Sequence, residues 1–152
     1  MANTQAMCTS FLGELMTATH NFTTGTGNTF KAALFLASAT QNASTTAYGT
    51  SGEVTGAGYS AGGVTVTNGT SPTSTNSSAT AGVGYWTPSA SITYTGVTLT
   101  TAFDAVLIYN SSASNKAVSV HTFGSQTITA GTFTLTMPAN TTSTALLRLA
   151  TT

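Results

Sequence analysis

Ionised side chains are what this sequence has least of. Glu14, Lys31, Glu53, Asp104, Lys116 and Arg148 make up the whole set, 4% of 152 residues with a net charge of zero, against roughly 25% in an average soluble domain. A folded monomer of 15.2 kDa has roughly 7,000 Å² of surface, so charges stand about one per 1,200 Å². No basic run exists, and counterion release therefore cannot drive binding to nucleic acid. A charge-driven membrane surface is excluded as a partner on the same ground. Cys8 is alone, which rules out a disulfide scaffold. The longest apolar run, Ala32-Ala33-Leu34-Phe35-Leu36-Ala37, is far too short to span a bilayer. The opening Met1-Ala2-Asn3-Thr4-Gln5 has neither the basic start nor the apolar stretch of a secretion signal. A hydrophobic share of 40% with no net charge is also not the composition of a disordered chain.

What fills the gap is threonine and serine, together about a third of the chain. Threonine is β-branched and fits a pleated strand, while its hydroxyl suits a wet face. Strands built this way present a polar but uncharged surface. Such a surface packs against another protein without the cost of desolvating charge. It also does not repel a neighbouring strand, so an edge without Lys or Glu stays open to pairing. Because net charge near zero promotes association, the composition suits life inside an assembly.

One stretch, Thr9 to Asn21, has helical rhythm: Phe11, Leu12, Leu15, Met16 and Thr19 form an apolar stripe. Thr9 or Ser10 caps its start and His20-Asn21 its end, with Gly13 a weak point. The remainder reads as strand and turn over about 30–150. Phe30 to Ser38 is an apolar segment expected to be buried on both faces. Thr40 to Gly52 reads as loop. The glycines of Gly56 to Gly63 suggest a bend or bulge before Val64-Thr65-Val66-Thr67. Asn68 to Gly82 is low in complexity and reads as an exposed loop or a mobile hairpin tip. Strand character resumes from Tyr85 to Leu99 and again from Asp104 to Asn110, the candidate central strand. A turn follows at Asn110–Asn115, then the alternation of Val118, Val120 and Thr122, then Gly124-Ser125-Gln126 leading into Thr127-Ile128-Thr129. Ala130-Gly131 reads as a hairpin turn before Phe133, Leu135 and Met137 on one face, stopped by Pro138. Ala145 to Ala150 supplies a last strand. Seven to nine short strands predict an all-β chain: an antiparallel β-sandwich or jelly-roll-like barrel with one short N-terminal helix, forming a single domain over 1–152. No period of 20–50 residues repeats, which excludes a solenoid or propeller.

The inventory for chemistry is thin. Glu14 is expected to face solvent from the helix, Glu53 to cap a turn or meet Lys31 or Arg148, and Asp104 to open a strand. Nothing in the spacing of Glu53 and Asp104 indicates paired acid–base work. His121 could serve a serine nucleophile with Asp104 as orienter, but no Gly-x-Ser-x-Gly turn is present, and so many serines produce such trios by chance. His20 suits a helix end. Two histidines and Cys8 at unrelated spacing make no metal cluster, and Cys8 reads as a small apolar residue at the helix start. The segment from Gly56 to Gly63 lacks the Gly-Lys-Ser/Thr ending of a phosphate loop, and no helix pattern follows. Asn-x-Ser/Thr triplets, among them Asn42, Asn76 and Asn140, are no more frequent than this composition produces by chance. Tyr85-Trp86 with Tyr59, Tyr94 and Tyr109 could line a sugar-binding face, although a mixed core and interface role is the simpler reading. The sequence therefore predicts no enzyme, no cofactor, and no catalytic, cofactor-binding or metal-binding residue.

Several segments in order carry a resemblance. They are Cys8-Thr9-Ser10-Phe11 before a short helix, Lys31-Ala32-Ala33-Leu34-Phe35, Gly52 to Gly63, Ala105 to Asn110, and Phe123-Gly124-Ser125 leading to Gly131-Thr132-Phe133. Together they resemble a group of small virion structural proteins of tailed bacteriophages, over most of the chain apart from Asn68–Gly82. The resemblance implies a non-enzymatic particle component made and assembled in a bacterial cytoplasm, a capsid decoration (cement) protein or another accessory part of head or tail. Its partners would be further copies of itself, a trimer being one arrangement, and major capsid or other virion proteins, with neither nucleic acid nor membrane. The N-terminal segment and the loop Asn68–Gly82 are the expected particle contacts. The reading from another class is a carbohydrate-binding host-recognition module using the aromatics.

Overall fold

The computed structural model describes residues 2–75 and 82–151. Eight strands and one helix follow in the order β1 (Ala6–Met7), α1 (Thr9–Met16), β2 (Phe30–Leu36), β3 (Val64–Thr65), β4 (Thr73–Ser74), β5 (Val83–Trp86), β6 (Ile92–Asn110), β7 (Lys116–Leu135) and β8 (Leu147–Ala150). They form two antiparallel sheets, one of order β1-β7-β6-β2-β3 and one of order β4-β5-β8. The all-β class with a short N-terminal helix is as the composition predicts. The two sheets keep separate edges and do not close into a barrel.

The apolar runs occupy the centre. Ala32 to Phe35 and Ala105 to Asn110 are buried without interruption and pair with each other, Ala33 opposite Leu107 and Leu34 opposite Val106. A continuous run of this kind is what a strand covered on both faces requires. Each fully buried Phe, Leu, Ile or Val here contributes about 1.5–3 kcal/mol. Trp86 carries the core across to the small sheet, its ring 4.7 Å from Phe22, which stacks on Phe30 at 4.2 Å.

The strands differ from expectation in length. Tyr85 to Leu99 is not one strand, because Pro88 interrupts it and cannot donate to a ladder. Val83–Trp86 joins the small sheet and Ile92 onward the large one. From there β6 and β7 run for 19 and 20 residues, joined by the expected turn, where Ser114 and Asn115 have positive φ. Ala130-Gly131 is no hairpin turn. Ala130, at φ 48°, lies within β7, in one of several register shifts between Tyr94 and Ala105 that let the two long strands stay paired while bending.

The helix is shorter than the apolar stripe. It stops at Met16, with Thr17 closing it and Ala18 at φ 56°, so Thr19, His20 and Asn21 lie beyond it. Phe11 is buried and Leu15 half-buried, whereas Leu12 and Met16 face outward. In the glycine-rich stretch, Gly63 lies at φ 69° directly over the Ala32 carbonyl of β2, and Ala57 bridges to Thr98 of β6. The chain turns there as expected before β3, the Tyr59 amide donating to the Gly56 carbonyl and the Gly63 amide to the Ser60 carbonyl, and the glycines also allow close approach to β2 and β6. Thr73-Ser74 within the low-complexity loop forms β4 and pairs with Gly84-Tyr85; residues 76–81, with Asn76, lie outside the described residues.

Candidate interaction surface

Glu53, Glu14 with His20, and His121 sit in three separate clusters. Glu53 is buried, not capping a turn and not paired with Lys31 or Arg148. Its Oε1 accepts the Tyr59 phenol and the Gly62 amide, each at 2.7 Å, and its Oε2 accepts the Tyr48 phenol at 2.7 Å. Tyr109, stacked on Tyr48 at 4.5 Å, donates to the Gly62 carbonyl at 2.8 Å. Burial, reinforced by the Glu53 carboxylate, holds the Tyr59 and Tyr48 phenols well above the usual range.

Glu14 is half-buried and does not face solvent as expected. Lys116 Nζ donates to its Oε1 at 2.6 Å, and His20 Nε2 lies 2.8 Å from its Oε2. Burial alone would raise the Glu14 carboxyl, but these two donors outweigh it and hold the group below its ordinary value. Asn110 Nδ2 lies 3.1 Å from His20 Nδ1. Since an amide nitrogen only donates, Nδ1 accepts, and Nε2 carries the proton given to Glu14. His20 is thus no helix-end residue; it is a buried ring stacked beside Phe22 and Phe30.

The third cluster holds His121. Its Nε2 is 2.9 Å from Ser119 Oγ, and desolvation pushes the imidazole down to about 4. Asp104 does not orient it. Lying inside β6 and not at a strand start, Asp104 accepts from Asn3 Nδ2 at 2.6 Å. Ser119 is buried between β1 and β6, its Cα paired with Met7 and Ile108, so the hydroxyl has no open approach. Glu53 and Asp104 share no hydrogen bond. Cys8 sits at the N-cap of α1, fully buried, and burial raises its thiol to about 11, far from the thiolate that reactivity requires. Among the described residues, no three His, Cys, Asp or Glu side chains are placed to hold a metal ion.

Of the five aromatic rings expected as a sugar platform, Tyr59 and Tyr85 are half-buried and Tyr85 lines an apolar hollow, whereas the other three point inward. Trp86, Tyr94 and Tyr109 are each 2% exposed, and the Trp86 indole donates to Asn68 Oδ1 and the Thr70 carbonyl.

What remains outside is neutral. Glu53 is buried, Glu14, Lys31, Asp104 and Lys116 are half-buried, and Arg148 alone of the six charged residues is exposed. Along the ribbon beyond β2, Thr93, Thr95, Thr100, Thr127, Thr129, Thr132 and Thr134 are exposed. Their opposite face buries Tyr94, Val97, Leu99 and Phe133. An apolar hollow of about 160 Å³ opens between α1 and the small sheet, lined by Phe11, Leu15, Pro72, Trp86, Leu147 and Leu149 among others. The N-terminal segment is laid into the body, with Thr4 bonded to Gln41 and Asn3 to Leu36 and Asp104. Sequence reading identified the neutral composition but not the hollow, whose walls come from four distant segments.

Comparison with protein-family models, curated proteins and solved structures finds no match to this chain.

Proposed function

We propose that this chain is a non-enzymatic structural subunit of a tailed-phage virion, a capsid decoration protein whose copies self-associate and dock on the particle surface. The observation that carries this reading is the exposed surface, to which the six charged residues contribute only Arg148 as a freely exposed group. A surface of this kind has little charge to keep copies apart. It gives up little on desolvation when it meets a neighbour, because hydroxyls that lose water on contact find partners there more cheaply than ions do. Among the described residues, Glu53, His20 and Cys8 are buried, and Glu14, Asp104 and His121 are half-buried with their side chains engaged by neighbours. The ordered resemblance of Cys8–Phe11, Lys31–Phe35, Gly52–Gly63 and Ala105–Asn110 to small virion proteins points the same way.

The test is deletion of the coding sequence in the phage, followed by electron microscopy of purified particles with and without complementation. The reading expects intact particles that lack a regular surface density, restored with the gene. Particles of unchanged density, with the chain missing from wild-type virions, would refute it.

A further inference from the structure

Among the described residues, the edges of the large sheet are covered with one long exception. Beyond β2, the Leu36 amide donates to Gly52, and the Val54 and Val66 amides donate to Leu34 and Phe30. On the outer side of β6, Thr98 donates to Ala57, and Ala102 accepts from Ala37. Residues 116–120 of β7 are covered by Thr46, Ala47 and β1. From His121 to Leu135, β7 has β6 on one side and no backbone bond on the other. The free edges of the small sheet, β4 and β8, are only two and four residues long. An edge strand presents a row of N–H and C=O groups to any extended chain, and natural edges are blunted by charge, Pro, shortness or bulges. Positions 121–135 contain no Lys, Arg, Asp, Glu or Pro. Bulges are the device present, but between Gly131 and Leu135 the extra residue falls on β6, Tyr94 to Val97 taking three steps against two. This run of β7 therefore keeps an unbroken pleat, with Phe133 buried and Thr132 and Thr134 exposed.

We propose that residues 131–135 pair antiparallel with the same run of a second copy about a two-fold axis at Phe133, joining the two large sheets into one. A two-fold contact requires a surface that complements itself. A strand edge does so by geometry, because the donors and acceptors that one copy offers antiparallel are those the other needs. The register sets Thr132 opposite Thr134 of the partner subunit on the exposed face. The same kind of pair already exists within the chain, where Thr93 lies opposite Thr134 with the two hydroxyls 3.4 Å apart. The second copy thus extends an existing row of threonines, a favourable cross-strand pairing. Charge favours the same occupant. A charged strand would find no counter-charge along 121–135, whereas two identical neutral runs meet with no like charges opposed. The proposal rests on the self-associating subunit described above and assigns the edge by which copies meet.

Sedimentation equilibrium of the purified chain tests it, with two double variants at exposed positions. Thr132→Lys with Thr134→Lys sets lysine against lysine at both pairs across the axis. Thr132→Lys with Thr134→Glu sets lysine against glutamate at the same pairs. Circular dichroism and the melting temperature check that each variant keeps the fold. The wild type is expected at twice 15.2 kDa, the first variant at the single-chain mass and the second at the double mass. A wild type of any other mass, a first variant that stays paired, or a folded second variant that stays apart would overturn the proposal. Without any substitution, hydrogen exchange across 131–135 is expected to slow as the wild type is concentrated, and exchange that ignores concentration would overturn it too. A wild type that is monomeric yet binds particles would remove this contact while leaving the virion role standing; one that does neither removes both.

Discussion

The Tyr59 hydroxyl donates to Glu53 Oε1 at 2.7 Å and at the same time accepts the Leu34 amide of β2 at 3.0 Å. One phenol thus ties a buried carboxylate to the central sheet. Removing it in Tyr59→Phe leaves the Leu34 N–H without that acceptor and Glu53 without one of its donors, a loss of about 1–3 kcal/mol. Tyr48→Phe removes a single donor from a more exposed position and should cost less. Urea denaturation at unchanged slope is the measurement, and equal losses for the two variants would contradict this ranking.

The same cluster fixes the alkaline behaviour. Burial, with Glu53 nearby, raises the Tyr59 and Tyr94 phenols above their ordinary value of 10. A folded value above the unfolded one means the fold retains the proton longer, so stability is complete below pH 10 and declines as pH rises past it. Absorbance at 295 nm should therefore show these phenols ionising together with loss of circular dichroism. Ionisation of all tyrosines near pH 10 with the fold intact would contradict it.

His121 sets the mild-acid limit. Desolvation lowers its imidazole from 6.5 to about 4, so its neutral form belongs to the folded state. Stability is full above pH 6.5 and falls as pH drops toward 4, by on the order of 2–3 kcal/mol. Glu14, held below 4.5 by Lys116 and His20 against the opposing effect of burial, adds its loss only at lower pH. The variant His121→Gln should flatten the denaturation midpoint between pH 6.5 and 4.5; an unchanged slope there would contradict the assignment.

Two glycines should respond in opposite directions. At Gly63 a methyl group would run into the Ala32 carbonyl, at a φ of 69° that alanine adopts only under strain. Gly63→Ala should cost about 3 kcal/mol or more. Gly13, in the interior of α1, has open space around its missing Cβ, and Gly13→Ala should stabilise by roughly 0.5–1 kcal/mol. Thermal denaturation of the pair checks both signs.

These positions show how far the sequence could be read. The all-β class, the two doubly covered strands and the turn at Asn110–Asn115 were legible because each rests on a local pattern of period or turn chemistry. The lengths of β6 and β7 were not. Gly124 and Ala130-Gly131 are breakers in isolation, yet pairing with β6 carries the chain through them as register shifts. The stripe on α1 marked a helix but could not show that it splits, Phe11 and Leu15 inward and Leu12 and Met16 outward. The partners of Glu53, Glu14 and Asp104 were hidden because each comes from another part of the chain: Tyr48, Tyr59 and Gly62; His20 and Lys116; Asn3.

Rebinding of the purified chain to particles that lack it, measured from 0.05 to 1 M NaCl, tests the central claim most directly. Contacts made by hydroxyl and apolar faces are not screened by salt, whereas ionic ones weaken as the Debye length falls from above 10 Å to about 3 Å. Saturable binding of undiminished affinity across that range is the expected result. No binding at any salt, or binding that salt abolishes, would contradict docking through a neutral surface.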